Sequence, residues 1–220
     1  MKRLLLCLLC FISLGISAQN QIDFRSLLSV NIEKKVSKRV SFTIMPAAYA
    51  TNDLQELGFA FLDAGIKCKL TKNFSTNFNY RFMLRRNLEN FYDNRHIIYG
   101  DIDFAKGHKR WSFGGTARFQ SLFYSHIFEG YKTPLVYNRI KINVKYRVNY
   151  YWQPFTEFEF FVPLDHPVRK TVDQLRGSLG VAYTINNKIK VEVYEQIQQQ
   201  INRAPHNTYF LTAINWYFRF

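Results

Sequence analysis

The stretch "NRIKINVKYRV", Asn138 to Val148, sets Ile140, Ile142, Val144, Tyr146 and Val148 against Arg139, Lys141, Lys145 and Arg147 in alternation. Successive side chains of a strand point to opposite faces of a sheet, so a period of two predicts a strand with one apolar and one cationic face.

Working outward, ten more segments repeat the pattern. The eleven lie at 24–36, 39–50, 55–70, 74–86, 95–106, 110–123, 136–148, 150–162, 174–185, 189–201 and 209–220. Each is longer than the ~5–6 residues of a soluble strand and near the length that a tilted membrane-crossing strand requires. One face is consistently apolar: Phe24, Leu28, Val30 and Ile32; Phe74, Phe78, Tyr80, Phe82 and Leu84; Trp111, Phe113, Ala117 and Phe119; Leu175, Leu179, Val181 and Ile185. Polar and charged residues fill the other face. No later segment is apolar for long enough to form a transmembrane helix.

The connections alternate as well. Short turns are expected at Ser37–Arg39, Thr71–Asn73, Lys106–Lys109, around Asn149 and at Asn186–Lys188; longer loops at Thr51–Leu54, Asn87–Asn94, Tyr124–Leu135, Pro163–Asp173 and Asn202–Thr208. A meander with turns at one end and loops at the other predicts an antiparallel up-and-down transmembrane β-barrel of 10 to 12 strands, periplasmic turns below and extracellular loops above. Eleven strands leave a parity problem, because two periplasmic termini need an even number. A missed strand among residues 19–60, or an N-terminal stretch entering through the lumen, would resolve it.

The chain start carries Lys2 and Arg3, an apolar run from Leu4 to Leu14, and Gly15-Ile16-Ser17-Ala18. This reads as a secretory signal peptide over residues 1–18, leaving 19–220 as a single barrel domain. Cys7 and Cys10 leave with it, and Cys68 alone cannot form an internal disulfide. Aromatic residues make up 17% of the sequence, which suits strands facing lipid. The formal charge of +14 remains strongly basic after cleavage. For an exported chain this favours anionic lipids or solutes over nucleic acid. Trp111 and Trp152 open strands just after short turns, and Trp216 lies near the chain end, so all three are expected in one aromatic girdle. Phe210, Thr212, Ile214, Trp216, Phe218 and Phe220 share one face of the last strand. A terminal aromatic face, here Trp216, Phe218 and Phe220, resembles the signal read by the barrel-assembly machinery.

The stretches "VNIEKKVSKRVSFTI", "LDAGIKCKLTKNFSTNFNYRF", "NRHIIYGDIDFA" and "GVAYTINNKIKVEVYEQ" are similar to an outer-membrane barrel family catalogued as domain of unknown function 2490. The resemblance implies a Gram-negative outer membrane and brings no catalytic residues with it.

Chemistry, if any, is expected inside. Inward positions carry Arg81, Arg85, Arg95, Arg118, Arg139, Lys141, Lys145, Arg147, Arg176 and Lys190 against Asp63, Asp101, Asp103, Glu157, Glu159 and Glu192. Glu157 and Glu159 should pair across strands with the neighbouring bases. Three readings stay open: a narrow pore or binder for a small anionic solute, a closed barrel filled by salt bridges, and a hydrolase with a loop site. The last would use His96, His126, His166 or His206, with Ser125, Asp93, Glu129 and Asp165 near them in sequence. No histidine pair has metal-ligand spacing and no Gly-rich loop could cradle phosphate, so neither metal nor cofactor is expected. Glu195 breaks the outward register of Ile189, Val191 and Val193. A bulge turning it inward, or a contact with another protomer, would explain it.

Overall fold

The computed structural model describes residues 22–86, 91–124, 134–165, 171–202 and 207–220. Residues 1–18, read above as a signal peptide, lie outside this range. The described strands are β1 (Ile22–Lys35), β2 (Val40–Thr51), β3 (Glu56–Lys69), β4 (Phe74–Arg86), β5 (Tyr92–His108), β6 (Trp111–Tyr124), β7 (Leu135–Tyr146), β8 (Trp152–Pro163), β9 (Gln174–Thr184), β10 (Ile189–Gln200) and β11 (Thr208–Arg219). They close into one barrel in which each strand pairs with its sequence neighbour.

The odd strand number is real and has a geometric consequence. Every sequential pair is antiparallel, but β1 closes on β11 in parallel, from Ile22↔Thr208 to Glu33↔Arg219. The described start of β1 therefore lies at the loop end, opposite Phe220. The expected short turns do share one end: Phe220 donates its N–H to Glu33 O and accepts from Lys35 N, both at 2.9 Å, while Arg219 N donates to Lys188 O at 2.8 Å.

Local chemistry makes four of these turns tight. Ser37 Oγ accepts from the N–H groups of Arg39 and Val40, and Thr71 Oγ1 from those of Asn73 and Phe74. Asn149 Oδ1 caps Tyr151 and Trp152, and Asn186 Oδ1 caps Lys188 and Ile189. Side chains of these types supply the acceptor that a reversing backbone needs. The fifth turn is only Lys109-Arg110, with Lys109 at φ 52°. The connection at the other end expected to be a longer loop, Thr51–Leu54, is instead a four-residue reversal over 52–55. Asn52, Asp53 and Leu54 all adopt positive φ there. Asp53 fixes it to the barrel rim, accepting from Phe24 N and donating its own N–H to Asp23 Oδ1.

The exterior is apolar where the alternation requires it. Leu28, Phe78, Ile102, Phe119, Phe158 and Leu179 are each more than half exposed. A closed sheet with such an exterior satisfies its own backbone hydrogen bonds while facing hydrocarbon, as a transmembrane barrel must. Trp111, Trp152 and Trp216 all point outward; the first two pack on Tyr146 and Tyr183, each at a centroid distance of 4.7 Å. Trp216 stacks on Phe218.

Candidate functional site: the lumen

Polar residues fill the interior in clusters, each organised by a carboxylate. Asp63, 4% exposed, accepts from Arg81 at 2.6 Å and from the Tyr99 hydroxyl at 2.5 Å. Asp101 takes Arg118 in a two-bond fork at 2.7 and 2.8 Å, and that guanidinium lies 3.8 Å over the Tyr99 ring. Glu159 joins Arg139 at 2.7 Å to Arg176 at 3.3 Å, and both guanidinium groups pack against Phe161. Nearer the turn end, Glu192 gathers Lys190 at 2.7 Å, Lys145 at 3.6 Å and the Tyr217 hydroxyl at 2.8 Å. Glu157 meets Lys141 more loosely at 3.7 Å. Asp103 accepts from Asn77 and Thr116 and has no base within ion-pair distance among the described residues. The forked Arg–carboxylate contacts are the strong ones, because two charge-assisted bonds fix both planes.

Arg147 does not join these clusters. β7 ends at Tyr146, and the exposed Arg147 lies in the following turn, its N–H bonded to Arg110 O. The alternation in sequence outruns the inward face because the strand leaves the barrel wall first.

A cavity of about 570 Å³ runs from the Arg139–Glu159 cluster to the loop end at Arg25, Arg85 and Arg95. Among the described residues its lining holds eight bases and three acids. At its mouth Arg85 is in electrostatic reach of Arg95 and Arg25. Arg25 pairs with Asp23 at 2.6 Å and covers Tyr209; Asp93 lies opposite Arg85 in the β4–β5 ladder and in electrostatic reach of Arg95, although no described carboxylate is within salt-bridge distance of either arginine. The buried Nε of Arg95 has no hydrogen-bond partner there either, and its guanidinium packs 4.6 Å from the Tyr124 ring. This mouth combines positive charge, rings and unused donors.

Arg25 is a lumen residue that the sequence reading passed over, although its place between outward Phe24 and Ser26 was the available signal. Inward Leu27, Ala47, Leu211 and Ala213 form a buried apolar cluster on the register expected to be polar. Period alone assigns faces, and it cannot say that a stretch of inner face will be dry. Gly180 also serves packing: a Cβ there would come within 2.4 Å of Tyr194 and 2.8 Å of the Phe155 ring.

Among the described residues the histidines give no catalytic grouping. His96 faces outward, bonded through Nδ1 to the Tyr80 hydroxyl at 2.6 Å and packed against Phe82. Ser125, His126, Glu129, His166 and His206 lie outside the described residues. Glu195 has no bulge to turn it inward. The β10 ladders are regular through Glu195↔Thr212 and Glu195↔Leu179, and the exposed carboxylate accepts the Thr212 hydroxyl at 2.9 and 3.0 Å.

Residues 24–209 match the family described as protein of unknown function (DUF2490). The chain belongs to this family. Among solved structures, this DUF2490 barrel resembles the NanC porin in a rhombohedral crystal form, with a TM-score of 0.52 at 11% identity over 90% of this chain and 99% of the porin. At that identity the likeness speaks to the fold. No protein of curated function matches the sequence.

Proposed function

We propose that this protein is an outer-membrane barrel whose basic lumen takes up small anionic solutes from the loop end. The observation that carries this reading is the cavity mouth, where Arg25, Arg85 and Arg95 outnumber the neighbouring Asp23 and Asp93. A passage walled by low-dielectric protein and lined by one sign of charge concentrates ions of the other sign. The chain is exported through its signal peptide, the assembly machinery reads the face carrying Trp216, Phe218 and Phe220, and outer-membrane lipids cover the apolar exterior. The role is binding or passage, with no cofactor and no reaction.

A second reading, a closed structural barrel, is favoured by the carboxylate belts around Asp63, Asp101, Glu159 and Glu192, which draw bases inward across the lumen. About 8 strands leave room for side chains alone, while roughly 16 leave an aqueous channel, so eleven lie between these limits.

Planar-bilayer recording across a salt gradient separates the two. The unaltered protein is expected to conduct weakly with anion selectivity, and Lys141→Glu with Lys145→Glu to move the reversal potential toward cations. Cation selectivity in the unaltered protein refutes the basic-lumen reading, and silence under all conditions favours the closed barrel. Fractionation is expected to find the protein in the outer membrane with heat-modifiable gel migration; a soluble periplasmic protein would overturn the location.

A further inference from the structure

A second cavity, of about 300 Å³, lies at the turn end, between the 36–39 and 70–73 turns and the adjoining ends of β1 to β4. Lys35, Lys38, Arg39, Lys67, Lys69 and Lys72 surround it. Glu33 is the one acid among the described residues of its lining, and it is already engaged by Arg219 at 3.3 Å and the Ser41 hydroxyl at 2.9 Å. None of the six bases has a carboxylate within ion-pair distance among the described residues.

The backbone under these bases is preorganised. Each turn is closed by its own Ser37 or Thr71 cap, and Lys69 N donates to Arg39 O at 2.7 Å, tying the two turns together. Six like charges on a fixed frame repel one another, and the lumen belts show that this chain pairs its bases wherever it places acids beside them. Here it places one acid.

We propose that this pocket binds a phosphate-bearing anion. A chloride ion offsets a single base, whereas a phosphate group carries up to two charges on several acceptor oxygens and can bridge the guanidinium of Arg39 and more than one ammonium group. The Ser75 hydroxyl, also in the lining, adds a donor. The phosphate comes either from a soluble solute in the compartment facing the turns or from the headgroup of a phospholipid beside the barrel. The site stands at the opposite end from the Arg85 and Arg95 mouth, and binding to it does not depend on conduction.

The test is titration calorimetry of the full protein, in detergent, with pyrophosphate as the probe. Binding is expected, weakening about tenfold or more between low and high salt as the charges are screened. Lys35→Gln with Lys67→Gln and Lys69→Gln is expected to lower affinity about tenfold or more by removing three of the six charges. Lys106→Gln with Lys109→Gln and Arg110→Gln removes as much charge from another part of the same rim and should change affinity by less than about twofold. Heat-modifiable gel migration verifies that each variant is folded, and Lys67→Gln with Lys69→Gln serves if the triple variant is not. No binding by the unaltered protein, or equal losses in the pocket and control variants, overturns the proposal. In nanodiscs, equal pyrophosphate affinity with phosphatidylcholine alone and with added phosphatidylglycerol identifies a soluble ligand, while competition by phosphatidylglycerol identifies the headgroup. Both results retain a phosphate site.

Discussion

Glu159→Gln isolates the lumen carboxylate that joins two guanidinium groups. In the native barrel Glu159 Oε1 accepts from Arg139 Nε at 3.0 Å and Nη2 at 2.7 Å, and Oε2 accepts from Arg176 Nη1 at 3.3 Å. The glutamine keeps the shape but leaves both guanidinium groups without a counter-charge, and its NH2 cannot accept from the arginine that it faces. Removing one partner of a buried pair in this way typically costs ~3–5 kcal/mol, and about 3 kcal/mol is expected here. The Glu159 and Arg139 side chains are each 13% exposed, so solvent screens little of this. Glu157→Gln is the contrast: its pair with Lys141 is 3.7 Å long with side chains 25% and 35% exposed, and it should cost under ~1 kcal/mol. The assay is equilibrium urea unfolding of the refolded protein, followed by tryptophan fluorescence and by heat-modifiable migration. Adding Arg176→Gln to Glu159→Gln removes one of the stranded bases and should recover about 1 kcal/mol. Equal costs for the two single variants, or strict additivity in the double variant, would refute the view that Glu159 anchors the interior charge.

Deleting Phe220 removes two ladder bonds at the β1 seam as well as an aromatic ring, so the deletion should lower outer-membrane levels more than Phe220→Ala; normal levels for both, measured by fractionation, would deny the terminal residue a part in assembly. Leu28→Arg puts a charge on an outward position that is 54% exposed, at a cost of about 2–4 kcal/mol if it lies near the bilayer midplane. An unchanged unfolding midpoint in lipid bilayers would mean that this face does not meet hydrocarbon. Glu195→Leu takes a carboxylate off the exterior and should raise that midpoint, by about 1 kcal/mol or less of stability; a lower midpoint would reveal a partner for Glu195, such as a second copy of the chain.

The barrel was legible because a period of two, sustained over each long strand, leaves no other way to hide one face and keep the other polar. Phe74, Phe78, Phe82 and Leu84 face outward as their spacing requires, and the register Lys141↔Glu159 sets a base beside an acid across β7 and β8. Pairing details were less legible because they depend on reach. Glu159 sits opposite Lys141 in the ladder but bonds Arg139 and Arg176, since a long guanidinium spans a diagonal that Cα register does not describe. The second basic cavity was hidden for a related reason. Its bases come from two turns and two strands, and each alone reads as an ordinary solvated charge.

The parallel seam explains the apolar cluster that the alternation did not announce. Parallel pairing is slightly weaker per residue than antiparallel pairing, and this barrel depends on it at the one place where no turn links the strands. The side chains along that seam add what the ladder lacks. Phe24 stacks on Phe210 outside, with centroids 5.4 Å apart, and inside Arg25 covers Tyr209, Ser29 Oγ donates to Asn215 at 2.7 Å and Arg219 meets Glu33. Between these contacts Leu27 packs with Leu211 and Ala213, and Tyr49, Phe61 and Tyr194 extend the cluster. Polar residues at those inward positions would have kept the alternation perfect and left the closure wet. Leu27 and Leu211 break the polar pattern where closing the sheet needs dry contact.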